Sequence, residues 1–176
     1  MDIVRLTDIT HPLFSAFWEI YNDNFPKTEK RNLKQQEETF IKKEYALDIY
    51  RENDVIKGFL AYWSFPEFIF VEHLAISKEG QGKGLGKTIL QNFIKNNTLP
   101  IILEIEHPVD ETSIRRLNFY ERLGFVKNHH LHFQPPFIKG DAPLGLTVLS
   151  LEKPFSAMLY ASFARKQKEV IMNHQY

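Results

Sequence analysis

Four glycines at alternate positions, Gly80, Gly82, Gly84 and Gly86, sit between an apolar run from Phe68 to Ile76 and a segment with helical apolar spacing, Leu85, Ile89, Leu90 and Phe93. This pattern marks a strand-to-helix turn in which the backbone can come very close to a bound group. The helix start that follows aims free N–H groups and the positive end of the helix dipole at that group. The segment Gln81-Gly82-Lys83-Gly84-Leu85-Gly86 is therefore a candidate cradle for a pyrophosphate.

Glycine spacing separates the loops that do this. A Walker loop ends in Gly-Lys-Ser/Thr, as Gly86-Lys87-Thr88 does, but it needs a glycine five positions before Gly86, where Gln81 stands. A dinucleotide-binding turn needs Gly-x-Gly-x-x-Gly, a register that glycines two apart never meet. Gln81, Gly84 and Gly86 do satisfy Gln/Arg-x-x-Gly-x-Gly/Ala, and the segment resembles the acetyl-CoA-binding motif of the GCN5-related N-acetyltransferases (GNAT).

The flanks extend the resemblance. Val71-Glu72-His73-Leu74-Ala75-Ile76 looks like that family's fourth strand, whose exposed backbone pairs with the pantetheine arm as an added strand would. Asn118-Phe119-Tyr120-Glu121-Arg122-Leu123-Gly124-Phe125 resembles its second signature, a helix ending in Leu-Gly-Phe with a tyrosine one turn before the end. Gly124 suits a helix C′ position, where positive φ is cheap for glycine. The resemblance covers about residues 67–126 and implies acetyl-CoA as acyl donor.

The chain has 176 residues, 43% of them hydrophobic, which suits one domain with a sizeable core. Twenty-two basic residues balance 22 acidic ones, so no global field favours nucleic acid or an acidic membrane. The absence of cysteine excludes disulfides, a thiol nucleophile and thiolate metal sites. With no signal-like N-terminus and no apolar stretch near the roughly 18 residues of a membrane span, a cytoplasmic protein is expected, as a monomer or a homodimer. The 15 phenylalanines suit a bulky aromatic core or an apolar acceptor pocket.

Periodicity predicts a first strand over 3–9 and a helix opened by Pro12 and ended by Pro26, with Phe14, Phe17, Trp18, Tyr21 and Phe25 at helical spacing. The charged stretch 27–38 reads as a solvated loop leading to a short helix over 35–43. Strands are predicted over 45–51 and 56–63, joined by the polar turn Glu52-Asn53-Asp54, and over 68–76 and 100–106. A helix over 112–123, a strand from Phe125, a long loop over 134–146, a last strand over 146–151 and a helix over about 155–172 complete a single domain of 1–176. This order matches the α+β fold that the resemblance implies, a mixed and mostly antiparallel sheet with helices on both faces.

Acetyl transfer from a thioester to an amine needs a neutral amine, a polarised carbonyl and a proton for the departing thiolate. The resemblance implies Tyr120 as the acid. Glu104 and Glu106 share a strand face, and two carboxylates there are costly unless they meet water, a cation or a cleft. Glu104, with Glu106 behind it, and Glu72 are the candidate bases, or else fixed charges that attract a cationic amine. Leu74, Ala75 and Ile76 are expected to bind pantetheine, and Gln81, Gly82, Lys83, Gly84, Leu85, Gly86 and Lys87 the pyrophosphate, the lysines adding charge.

In the resembled family the region between the first two helices frames the acceptor, which makes Glu29 and Arg31 candidate substrate contacts. Many members carry asparagine seven residues before the tyrosine. Ser113 stands there, so that cofactor contact is expected to be shortened or lost. His129, His130 and His132 read as surface or acceptor-pocket residues without an acidic partner, and no metal site is expected. The functional expectation is transfer of an acetyl group to the primary amine of a small molecule. The alternative is a non-catalytic acyl-CoA sensor.

Overall fold

The structure, a computed structural model, describes residues 1–173; the last three residues of the expected domain lie outside it. The chain divides into two compact units, Met1–Phe65 with Val71–Thr98, and Pro66–Phe70 with Leu99 onward.

The first unit holds β1 (Asp2–Leu6), α1 (Phe14–Asn24), α2 (Leu33–Phe40), β2 (Tyr45–Glu52), β3 (Val55–Ser64), the Val71–Ile76 part of β4 (Ile69–Ile76) and α3 (Leu85–Lys95). Its strands lie in the order β1-β2-β3-β4. β1 and β2 pair antiparallel from Asp2↔Arg51 to Leu6↔Leu47, and β2 and β3 from Tyr45↔Trp63 to Glu52↔Val55. The turn between β2 and β3 places Asn53 and Asp54 at φ 49 and 62, the two left-handed residues of a tight hairpin, which Asn and Asp tolerate. Helix α1 buries Phe14, Phe17 and Tyr21, a 3.6-period stripe, and Phe17 meets Phe59 of β3 edge-on at 4.9 Å. Each such ring contributes about 1.5–3 kcal/mol through burial. Helix α2 starts at Leu33 because Asn32 and Gln35 form a capping box ahead of it.

The second unit holds β5 (Ile101–Ile105), α4 (Glu111–Glu121), β6 (Phe125–Lys127), β7 (Phe133–Gln134), β8 (Leu144–Gly145), β9 (Thr147–Leu151) and α5 (Ala157–Lys166), which runs into a π-helical turn over Gln167–Ile171. β9 lies between β5 and β6 and pairs antiparallel with both. Gly124 closes α4 at φ 91, the left-handed conformation expected of it. On α5, Phe163 is fully buried and packs on Phe68 and Phe70 at 5.8 and 5.2 Å.

The long ordered loop expected over 134–146 carries an element of its own. Phe133↔Gly145 and Gln134↔Leu144 pair as a short hairpin, and the N–H of Leu146 bonds the carbonyl of His132 at 3.2 Å. Two-residue strands carry too little alternation to be read from sequence.

Candidate functional site

In the first unit, the glycine loop takes the shape expected of a phosphate cradle. Gly82 and Gly84 adopt φ of 74 and 75, and a Cβ on either would meet nothing within 4 Å. Backbone conformation, not crowding, is what calls for glycine there, and the ground above the loop is open. Gly84 is the N-cap of α3 and supplies no side-chain cap. The first intrahelical bond runs from the Thr88 N–H to the Gly84 carbonyl at 3.1 Å, so the N–H groups of Leu85, Gly86 and Lys87 precede the helical ladder. Lys83 and Lys87 are exposed beside them. Gln81 does not offer the cradle its expected backbone N–H: that group bonds the Ser77 carbonyl at 3.1 Å, and the side-chain amide donates to the Ile76 carbonyl at 3.2 Å, tying the loop to the end of β4.

Along β4, Ala75 is buried while Leu74 and Ile76 keep part of their surface. The Glu72 side chain is 1% exposed although the residue as a whole is not buried, so what the strand presents at that point is main chain. Inside, Glu72 accepts two 2.6 Å hydrogen bonds from the Arg31 guanidinium, a bidentate pair. Burial pushes the Glu72 carboxyl up, but the Arg31 charge, with hydrogen bonds from His73 and Arg31, outweighs burial and holds it far below the ordinary carboxylate value. The Arg31 guanidinium lies 5.6 Å over Trp63 and 5.9 Å over Tyr45, and its backbone N–H donates to the Tyr21 hydroxyl. His73 donates from Nε2 to the Glu29 carbonyl at 2.8 Å.

The stretch 27–38 is thus not simply solvated. Arg31, Gln35 and Gln36 are buried, and Arg31 is a core ion-pair partner with no surface to offer an acceptor. Glu29 engages through its backbone. A charge run in sequence does not show which of its members has a buried counter-ion waiting 41 residues away.

In the second unit, Tyr120 sits on the last turn of α4, its ring edge-on to Phe119 and Phe125 at 5.1 and 5.8 Å. Burial pushes its hydroxyl up to about 12, with Arg116 opposing and Glu106 adding. Ser113 is committed to the helix start: its hydroxyl accepts from the N–H groups of Val109 and Asp110 at 3.1 Å, completing a capping box with Asp110. A side chain this short and already engaged at the helix start is in keeping with the shortened or lost contact expected of it.

Glu104 and Glu106 part company. Glu106 lies just past β5, half-exposed and paired with Arg116. The Glu104 side chain is buried and takes three donors: His132 Nε2 and Gln167 Nε2 on Oε1, and Gln134 Nε2 at 2.9 Å on Oε2. His132 is therefore neither a surface residue nor without an acidic partner. His130 is stacked flat against Tyr160 at 4.1 Å, and only His129 of the three stays exposed. His132, Gln134, Tyr160 and Gln167 were invisible from sequence as a group, because 28, 30 and 63 residues separate His132, Gln134 and Gln167 from Glu104, and 28 separate Tyr160 from His132. Among the described residues no group of three or more His, Cys, Asp or Glu could hold a metal ion, and no helix is long and apolar enough to cross a membrane.

A sequence profile for the acetyltransferase (GNAT) domain matches residues 41–127. YjbC of Bacillus subtilis (strain 168), whose name gives it only provisionally as an acetyltransferase, is 36% identical over 112 residues, 62% of this chain and 56% of YjbC. The spermine/spermidine N(1)-acetyltransferase of the same strain is 32% identical over 94 residues, 48% of this chain and 61% of that protein. The chain thus spans a little over half the length of the curated relatives it matches. A solved GNAT-family structure from Bacteroides thetaiotaomicron, again provisionally named an acetyltransferase, superposes with a TM-score of 0.90 at 28% identity over 99% of this chain and 100% of that one. The Escherichia coli ribosomal-protein-S18-alanine N-acetyltransferase shares the fold at a TM-score of 0.62 and 16% identity, covering 89% and 97% of the two chains. These define the class: an α+β acyltransferase fold, a mixed and mostly antiparallel sheet flanked by helices. Within that class, the chain belongs to the GCN5-related N-acetyltransferase family.

Proposed function

We propose that this chain is an acetyl-CoA-dependent N-acetyltransferase that passes the acetyl group directly to the primary amine of a small molecule, in a ternary complex in the cytoplasm. The observation that carries this reading is the glycine loop. Two left-handed glycines and an uncapped helix start leave the N–H groups of Leu85, Gly86 and Lys87 free for a pyrophosphate, with Lys83 and Lys87 supplying charge. The part-exposed residues Leu74 and Ile76 of β4 suit a pantetheine arm lying along the strand as an added strand would, with a thioester carbonyl accepting an N–H. Relatives named for spermine fit an amine acceptor.

In the transfer the amine nitrogen bonds the thioester carbonyl carbon and the C–S bond breaks. The departing thiolate takes a proton from Tyr120, whose hydroxyl, pushed up to about 12 by burial, is fully protonated at neutral pH. Glu72 and Glu104, the two bases expected, are each buried against donors. We assign both to holding local structure, with the amine releasing its proton to solvent and Tyr120 regaining one from solvent. Tyr120→Phe is expected to lower turnover about a hundredfold while acetyl-CoA binding stays within about twofold. Unchanged turnover with a proven acceptor would remove Tyr120 from the mechanism.

The engagement of both carboxylates favours one other reading, a non-catalytic acyl-CoA sensor. Thiol release from acetyl-CoA across a broad panel of primary amines separates the two: release that depends on an amine establishes the enzyme, and none across the panel favours the sensor.

A further inference from the structure

The hydrogen-bond directions around His132 assign its protons. Tyr160 has one hydroxyl hydrogen, and it donates that hydrogen to the Leu131 carbonyl at 3.1 Å. A carbonyl can only accept, so at the 3.0 Å contact between Tyr160 Oη and His132 Nδ1 the imidazole must be the donor. On the other side, His132 Nε2 faces Glu104 Oε1, which also accepts from Gln167. A proton must lie between Nε2 and the carboxylate. Both ring nitrogens are therefore engaged through hydrogens, and the His132–Glu104 pair holds one proton more than a neutral imidazole beside a carboxylate.

What this pair fastens is the β7–β8 hairpin. His132 and Gln134 are two apart on one face and both point at Glu104, while Phe133 between them is exposed. The Leu146 N–H to His132 carbonyl bond closes the base of the hairpin, and Phe137 in its loop is buried. From the C-terminal side, Gln167 reaches Glu104 at the first residue of the π-helical turn, a rare irregularity that in helices often accompanies function.

The geometry points to His132 as a positioning residue, a proton-held latch that keeps the β7–β8 hairpin docked on Glu104 while the imidazole is charged and lets it loosen when that proton is lost. In the unlatched state neutral His132 keeps its Nε2 hydrogen on Glu104 only if Tyr160 turns its hydroxyl from Leu131 to Nδ1, which releases the 131–132 backbone. The titratable groups around the ring are Glu104 from β5, Tyr160 from α5 and, stacked on Tyr160, His130. Gln134 and Gln167 contribute uncharged donors. Burial and the Glu104 charge push the Tyr160 hydroxyl up, so it remains a neutral partner throughout.

Amide hydrogen exchange, expressed as protection factors for residues 133–146, tests the latch on the full chain with neither donor nor acceptor present. Wild type is expected to lose at least about tenfold in hairpin protection across a series from about pH 5 to about pH 8, while β2 amides stay protected. His132→Gln keeps a donor toward Glu104 but cannot titrate, so its hairpin should show no step. Tyr160→Phe removes the acceptor of the Nδ1 hydrogen and should move the step to lower pH. A wild-type hairpin equally protected at both ends of the range, or a step of the same size in His132→Gln, overturns the proposal. Since exchange is read without catalysis, neither result bears on acetyl transfer, which the thiol-release panel decides.

Discussion

At the scale of single residues, the pair of Arg31 and Glu72 shows how a buried charge is tolerated. Both side chains are essentially without solvent contact, and two 2.6 Å hydrogen bonds in fork geometry satisfy both carboxylate oxygens. Removing one partner leaves the other charge buried alone. Arg31→Ala is therefore expected to cost about 3–5 kcal/mol of unfolding free energy, whereas Arg31→Met with Glu72→Leu should recover most of that loss, because two buried charges are exchanged for packed apolar atoms. Chemical denaturation of the three proteins gives the answer. A cost below about 1 kcal/mol for Arg31→Ala, the range of a surface pair, would mean that water reaches Glu72.

At the scale of elements, the loop into α3 depends on two backbone conformations. Nothing lies within 4 Å of a Cβ added at Gly84, so Gly84→Ala is a test of conformation alone. Holding alanine at φ 75 costs roughly 1–2 kcal/mol, which corresponds to about a tenfold change in an equilibrium. If the bound loop needs that conformation, the acetyl-CoA dissociation constant should rise about tenfold in calorimetry. An unchanged constant would show that the N–H groups of α3 reach their ligand without it. Most elements were legible because their signals are local. The aromatic stripe of α1, the Asn53-Asp54 turn and Gly124 after α4 each follow from the residues that form them. The β7–β8 hairpin was not, since its two-residue strands are defined by their pairing and not by a pattern of their own.

At the scale of the whole molecule, the Glu72 carboxyl couples folding to pH. Its value in the fold lies below the ordinary 4.5, so the unfolded chain takes up the proton first as pH falls. The stabilisation it contributes is complete above that ordinary value and disappears as pH falls through the folded one. The wild-type protein should therefore lose stability steeply in acid below about pH 4, and the Arg31→Met, Glu72→Leu protein should lose less over the same interval. Equal acid sensitivity in a pH series of urea denaturations would place the linkage on other carboxylates.

The sequence by itself determined the strand-loop-helix that suits coenzyme A, the family and the order of nearly all elements, because glycine spacing, apolar periodicity and helix caps act over a few residues. It also singled out Tyr120, Glu72 and Glu104. Only the tertiary structure decided what those carboxylates are paired with. Arg31 comes to Glu72 from 41 residues away, and His132, Gln134 and Gln167 come to Glu104 from 28, 30 and 63 residues away. A carboxylate in sequence is a charge of unknown surroundings. Whether it is a base, an anchor or half of a latch depends on desolvation and on the donors that reach it, which are properties of the fold.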